Sequence, residues 1–402
     1  MVVLLGWMAL VWTPTTDAAV SADFTQGVTK ESIKIAMFSP FSGTGALYGK
    51  LAHGVQAIYM EQNKKGGING RNLELVVEDD AGNPANAPVV FRKLAEQEKV
   101  FMIHGGAASP VPIAMKRLIQ ESGIPFLIIT AAANAVTDPP IRNMFSPHPC
   151  AADMSRTVAQ FGKSINPKRI AVITQKDEWG KGWRDPFIAA MKQWGIEVVA
   201  DAEIASEIGD ATSLVRIAMR QRADVVALFS YPQPTSVFLR DAYAQGLNVP
   251  VITGSGAMPE DVLRRVGQRE PVLQFFSTYL QKYQVDSPEY VPYRKMMAEY
   301  FPKDVWDGQV MSGMTGAYAN IEVLKRIGNN LTWENWIKTM ESLKDFDTDV
   351  LVGSVTYRPF DPADPATRRG VTGANMTVLN PDPKGSPIIL VKDWADFQKR
   401  VK

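Results

Sequence analysis

Few residues in this chain have the types and spacing that chemistry needs. Gly43-Thr44-Gly45-Ala46-Leu47-Tyr48-Gly49 carries a GxGxxxG spacing after an apolar run, the kind of glycine pattern that lets a pyrophosphate approach a helix N-terminus. Ser39 to Ser42 separate the run from the first glycine, whereas a dinucleotide fold turns at once, so a cleft loop leading into a helix is the better reading. The three histidines, His53, His104 and His148, are not at metal-ligand spacing, and neither HExxH nor CxxC occurs. Gly254-Ser255-Gly256 is out of phase with a nucleophile elbow, because Ile252 and Thr253 precede it. Asp79-Asp80 stands at a strand end, where paired carboxylates could serve acid–base work. Cys150 is the one cysteine, so no intrachain disulfide can form; beside Pro149 it reads as a packed thiol. These residues make no reaction centre. No catalytic residue, metal or cofactor is expected.

Binding is better served, at loops that follow strands. His104-Gly105-Gly106-Ala107-Ala108-Ser109-Pro110 follows an apolar run, and Ser109 then Pro110 suits an N-cap and first position for a helix carrying Val111, Ala114 and Leu118. Free N–H groups at that start could take a carboxylate or a carbonyl oxygen. A plain capped helix accounts for the same residues.

The elements that must position these loops alternate along the chain. Ile33 to Phe38, Leu73 to Glu78, Val100 to His104 and Pro125 to Ile129 form one set of strand-like runs. Arg169 to Thr174, Glu197 to Ala202, Val225 to Phe229 and Pro250 to Thr253 form a second. Amphipathic helices lie between them: Leu51, Val55, Ile58 and Tyr59 share one face, and Trp183, Phe187, Ala190, Met191 and Trp194 another, ended by Gly195. Short, almost wholly apolar strands alternating with helices predict parallel sheets covered on both sides, in two similar lobes. Helices dominate from Pro288 to Ser342, one of them opening at Thr332; a short strand is expected at Val352 to Tyr357 and a last one at Ile388 to Val391. Residues Arg358 to Pro387, rich in Pro, Asp and Gly, read as an extended surface excursion.

A chain of 402 residues is too long for one ordinary core, and 46% hydrophobic with 21% charged residues is ordinary for a water-soluble protein. A net charge of +1 without a Lys/Arg block offers nothing to nucleic acid or an anionic membrane. Val2 to Trp12 is apolar over the length of a signal peptide, and Val20-Ser21-Ala22 supplies small residues for cleavage, leaving Asp23 first. No Lys or Arg precedes that run, which is expected where the true start lies upstream.

The wording GGxNGxxLELVVEDDxxxP from Gly66 to Pro84, with the strand and turn from Ile33 to Tyr48 before it, resembles the leucine/isoleucine/valine-type periplasmic binding proteins. These are substrate-binding subunits of one class of ABC importers, and the resemblance runs from about Ile33 to Tyr357. It implies a type I fold: two doubly wound parallel-sheet α/β lobes joined by a three-segment hinge, with crossings near Cys150–Ala152, Ser277–Tyr279 and Val352–Ser354. The implied N-terminal lobe takes residues 23–151 and 279–352, and the C-terminal lobe 152–278 and 353–402. Asp79-Asp80 becomes structural. A disulfide that some members form is absent, with Gly82 and Gly106 at its positions.

The resemblance also carries a ligand site, and here the departures are informative. The loop hydroxyl after strand three is Ala107, the threonine after strand four is Ala133, and the acid that receives an α-ammonium is Ser255. A buried ammonium without its carboxylate costs several kcal/mol, on the order of a broken buried ion pair. An ordinary α-amino acid is therefore not the expected ligand. Four aromatics persist at loop ends facing one crevice: Tyr48, Trp179, Tyr231 and Tyr279. The expected ligand-binding set joins these to Gly105, Gly106, Ala107, Ala108, Ser109, Ala131, Ala132, Ala133 and Ser255. The expected protein is a periplasmic monomer that closes on a small, partly apolar or aromatic molecule and delivers it to an inner-membrane ABC permease. An exported sensing module that signals to a partner is the alternative.

Overall fold

The computed structural model describes residues 25–43, 45–266, 274–379, 386 and 388–400; the predicted signal peptide lies outside them. In the first part of the chain β1 (Ser32–Ser39), α1 (Gly49–Lys64), β2 (Asn72–Asp79), α2 (Ala87–Arg92), β3 (Met102–Gly105), α3 (Pro110–Ser122), β4 (Phe126–Ile128), α4 (Asn134–Thr137) and β5 (Met144–Phe145) follow one another. The strands form an all-parallel sheet in the order β2-β1-β3-β4-β5. Ile33, Ile35, Ala36, Met37 and Phe38 are fully buried, as a central strand covered on both faces demands. Edge strand β2 alternates buried with more exposed positions at its start.

After α5 (Ala151–Ser164) come β6 (Arg169–Gln175), α6 (Glu178–Gln193), β7 (Glu197–Ile204), α7 (Thr212–Arg220), β8 (Val225–Phe229), α8 (Pro232–Ala244), β9 (Val251–Thr253), α9 (Pro259–Val266) and β10 (Phe275–Tyr279). Three helices, α10 (Val291–Tyr300), α11 (Gly308–Ile327) and α12 (Trp333–Glu341), precede β11 (Asn375–Leu379), β12 (Ile388–Val391) and α13 (Trp394–Arg400). The second sheet runs β12-β11-β10-β9-β8-β6-β7. It is parallel from β7 to β10 and antiparallel across β11 and β12, so it is mixed rather than wholly parallel.

Two expectations change here. No strand spans Val352 to Tyr357; Leu351 and Val355 make only single bridges, to Gln281 and Phe346. The excursion from Arg358 is not all surface, because β11 lies in it, buried and hydrogen-bonded to β10, and Arg368 is buried with its guanidinium over the Phe145 ring.

Helix α11 belongs with the first sheet. It crosses α1 so closely that a Cβ on Gly54 would lie 2.3 Å from the Val310 oxygen, and one on Gly313 2.0 Å from the Leu51 oxygen. Only glycine permits that approach. The first lobe is therefore closed by residues more than 250 positions from the helix they cover. Thr332 caps α12, accepting from the Asn335 N–H, as expected.

Candidate functional site

A cavity of about 1040 Å³ lies between the C-terminal ends of the two sets of parallel strands. Each sheet reverses its strand order beside β1 or β6, where open α/β sheets place their crevices. From the first lobe come the loops after β1 (Gly43, Tyr48), β3 (Ala107, Ala108, Ser109), β4 (Thr130, Ala132) and β5 (His148). Opposite them stand the loops after β6 (Asp177, Trp179), β7 (Ser206 to Gly209), β8 (Tyr231) and β9 (Ser255, Gly256). Arg265, Leu280, Gln309 and Ser312 complete the wall.

The second lobe contributes an aromatic surface. Trp179 and Tyr231 stack with centroids 5.0 Å apart, and the Tyr231 hydroxyl donates to Asp177 Oδ2 at 2.7 Å. Asp177 is itself fixed: it caps α6, accepting from the Gly180 N–H with Oδ1. Gly256 lies against the six-membered ring of the indole, with room for no side chain, since a Cβ there would sit 2.4 Å from the ring. Trp179 is only 6% exposed. It is at once wall and packing. Burial, with the charge of Asp177, holds the hydroxyls of Tyr48 and Tyr231 neutral far above the ordinary phenol range.

The first lobe contributes methyl groups and one anchored serine. Ser109 does not cap α3: its backbone is helical, and its Oγ instead accepts from the N–H groups of Ala132 and Ala133 at 3.1 and 3.0 Å. Pro110 does occupy the first helical turn. Because Oγ already accepts twice, its hydrogen is the group left to donate. His148 donates from Nε2 to the Ser312 carbonyl at 3.0 Å, and burial drives its pKa down to about 4, so the ring is neutral.

Of the residues expected at the site, Tyr48, Ala107, Ala108, Ser109, Ala132, Trp179, Tyr231 and Ser255 line the cavity. Gly105, Gly106, Ala131, Ala133 and Tyr279 do not: they are buried behind its wall. The loop after β4 alternates, so Thr130 and Ala132 face the cavity while Ala131 and Ala133 turn into the core. Tyr279 is on β10, packed towards Gly308, and the cavity residue at that crossing is its neighbour Leu280. Sequence reasoning missed His148, Asp177, Arg265, Gln309 and Ser312. Asp177 had a signal, as a capping residue just before a helix; Gln309 and Ser312 had none beyond their place at the start of α11.

The structural reading of the other candidates holds. Asp79 Oδ1 accepts from the N–H groups of Phe41 and Ala81, and Asp80 Oδ1 from that of Gly82, so the pair knits the turn after β2. Burial raises Asp80 to about 6. Cys150 is buried at the start of α5 with its thiol pushed up to about 11 by burial and by Asp153. Among the described residues no cluster of His, Cys, Asp or Glu could hold a metal ion, and no helix is long and apolar enough to cross a membrane.

Comparison with known proteins agrees with this geometry. The Leu/Ile/Val-binding protein homolog 7 of Brucella abortus is 30% identical over 234 residues, which is 56% of this chain and 58% of that one. The chain thus spans under two thirds of the length of that relative. Among solved structures, a fatty acid ABC transporter substrate-binding protein from Thermomonospora curvata superposes with a TM-score of 0.78 at 20% identity, covering 92% of this chain and 93% of that one. A solute-binding protein from Rhodopseudomonas palustris, in complex with 3,4-dihydroxybenzoic acid, superposes at 0.77 with 18% identity over 90% and 99%. At such identities the likeness speaks for the fold. The periplasmic binding protein family model matches residues 32–377, and the chain belongs to that family.

Proposed function

We propose that this chain is an exported solute-binding subunit of an ABC importer, which takes a small organic acid with an aromatic or apolar body into the interlobe cavity and presents it to a membrane permease. One observation carries the choice of ligand. The Trp179–Tyr231 stack faces a wall of methyl groups from Ala107, Ala108 and Ala132, and the loop after β9 offers Ser255 where an ammonium would need an acid. The carboxylates that do line the cavity are Asp177, whose oxygens accept from the Gly180 N–H and the Tyr231 hydroxyl, and Glu207, exposed in the loop after β7. The Ser109 hydroxyl is suited to a carboxylate or carbonyl oxygen, and Arg265, exposed at the cavity rim, supplies positive charge. Aromatic faces give such a ligand a large contact area with little loss of freedom. The complex of the Rhodopseudomonas palustris neighbour with 3,4-dihydroxybenzoic acid supports the reading.

In this reading residues 23–151 with 279–352 move as one lobe and 152–278 with 353–402 as the other, except that Val355 to Gly370, hydrogen-bonded to Leu343, Phe346 and Ser146, travel with the first, and the leader is removed near Ala22 on export to the periplasm. The test is mass spectrometry of what co-purifies, followed by calorimetry with 3,4-dihydroxybenzoate, benzoate, hexanoate, leucine, isoleucine and valine. Binding of an aromatic or aliphatic acid, with the three amino acids weak or silent, is expected. A micromolar or tighter dissociation constant for leucine, isoleucine or valine would overturn the ligand assignment.

A further inference from the structure

A group of charged side chains outside the cavity joins the two lobes, and binding alone gives it no task. Lys50, in the first turn of α1, places its Nζ 2.8 Å from Asp261 Oδ2 and 2.5 Å from Asp307 Oδ2. Asp307 caps α11, which packs on α1, so it shares a lobe with Lys50. Asp261 is on α9 and follows β9 of the other sheet. From the same helix Arg264 pairs with Asp261 and reaches Asp307 at 3.3 Å, and Glu260 Oε1 accepts from the Gly308 N–H at 3.2 Å. Beside this group two neutral bonds also cross: Tyr48 Oη donates to the Gly256 carbonyl at 3.4 Å, and Gln309 Nε2 to that of Ser255 at 3.1 Å.

We propose that Lys50 is a positioning residue that holds the lobes closed without ligand, by bridging Asp261 of one lobe and Asp307 of the other. Three carboxylates meet two cations here, and Lys50 is 10%, Asp261 9% and Asp307 1% exposed. Burying the pair of charges gains little net energy over leaving both in water. Removing Lys50 is a different matter, because it leaves Asp261 and Asp307 buried together in the closed form with Arg264 alone between them, whereas opening separates the two carboxylates. Loss of Lys50 therefore penalises closure specifically. The closed fraction in turn scales the apparent affinity of anything the closed cavity holds, since a ligand that requires a closed cavity binds more weakly as that fraction falls. Gln309 and Ser255 touch both the crossing bonds and the cavity, so the two are mechanically continuous. The inference rests on the two-lobe binding reading but needs no ligand for its test.

The experiment measures the distance between spin labels on Arg117→Cys of α3 and Lys192→Cys of α6, both exposed positions on opposite lobes. Cys150 is buried and stays unlabelled. The protein is unfolded in guanidinium, dialysed and refolded to strip bound molecules. Expected is a populated short distance in the parent, its ratio to the long one falling at least about tenfold in Lys50→Met and returning in Lys50→Arg, with unchanged far-UV circular dichroism. Asp261→Asn, acting from the other lobe, should shift the distribution in the same direction and decides the matter if Lys50→Met does not fold. Distances in Lys50→Met or Asp261→Asn that match the parent, or a parent that shows only the long distance, would overturn the proposal. Failure of every candidate acid to bind would instead strike the ligand reading and leave these distances as they are.

Discussion

The Trp179 indole lies on the Tyr231 phenol ring at a 29° angle, and the backbone of Gly256 packs against its six-membered ring. This makes the two rings unequal. Trp179 also meets Trp183, with centroids 5.7 Å apart, and is nearly buried. Trp179→Ala should cost the empty protein about 3–5 kcal/mol, as truncation of a core aromatic does, besides weakening binding at least about tenfold. Tyr231→Phe keeps the stack and removes the bond to Asp177; it should shift stability by about 1 kcal/mol. Urea unfolding and calorimetry with the co-purified molecule separate the two effects. Equal stability losses in both variants would contradict the assignment.

Ser109→Ala should destabilise the protein by about 1–3 kcal/mol, because the N–H groups of Ala132 and Ala133 then lose their acceptor inside the wall. A helix-cap role would predict loss of α3 alone. Hydrogen exchange distinguishes them: protection should fall at Ala132 and Ala133 in the loop after β4.

Glu260 is buried beside Asp307, and burial first, then that neighbouring charge, pushes its pKa up to about 7 from 4.5. The folded state therefore holds this proton more tightly than the unfolded chain. Stability from this group is full below about pH 4.5 and is lost as pH rises through about 7. Glu260→Gln has no such loss. Its stability relative to the parent should rise by up to about 3 kcal/mol between pH 4.5 and 8. Paired urea titrations across that range check this, and a constant difference would show that Glu260 titrates normally.

Protein recovered from the periplasmic fraction should begin at Asp23 or within a few residues of it, if the small residues at Val20 and Ala22 direct cleavage. N-terminal sequencing reads this directly; intact Met1 in the cytoplasm would contradict export.

What could be read from sequence followed physical lines. Parallel strands buried on both faces are nearly continuous apolar runs, and all eight expected βα runs became β1 to β4 and β6 to β9, with no end shifted by more than two residues. Short or mixed-pattern strands escaped. Met144–Phe145 is two residues long, and Asn375–Leu379 hides within a Pro/Gly-rich stretch because its order comes from pairing with β10, almost a hundred residues earlier. At the site, loop position was legible but side-chain direction was not. Whether Ala132 or Ala133 faces the cavity depends on Ser109 Oγ gripping both N–H groups, a contact 23 and 24 residues away. Arg265 and Gln309 reach the wall from α9 and α11, and neither lies in a loop at a strand end.

The crossing of α1 by α11 and the pairing of β10 with β11 have a consequence for the chain as it is synthesised. When residue 300 leaves the ribosome, α1 still lacks the helix that covers it, and β10 has no neighbour on its outer side. Each lobe waits on the last quarter of the chain, the first on α11 and the second on β11, so neither is complete when three quarters of it has been made. Closing such long loops is slow. A chain built this way is still without a finished lobe when its first three hundred residues have emerged.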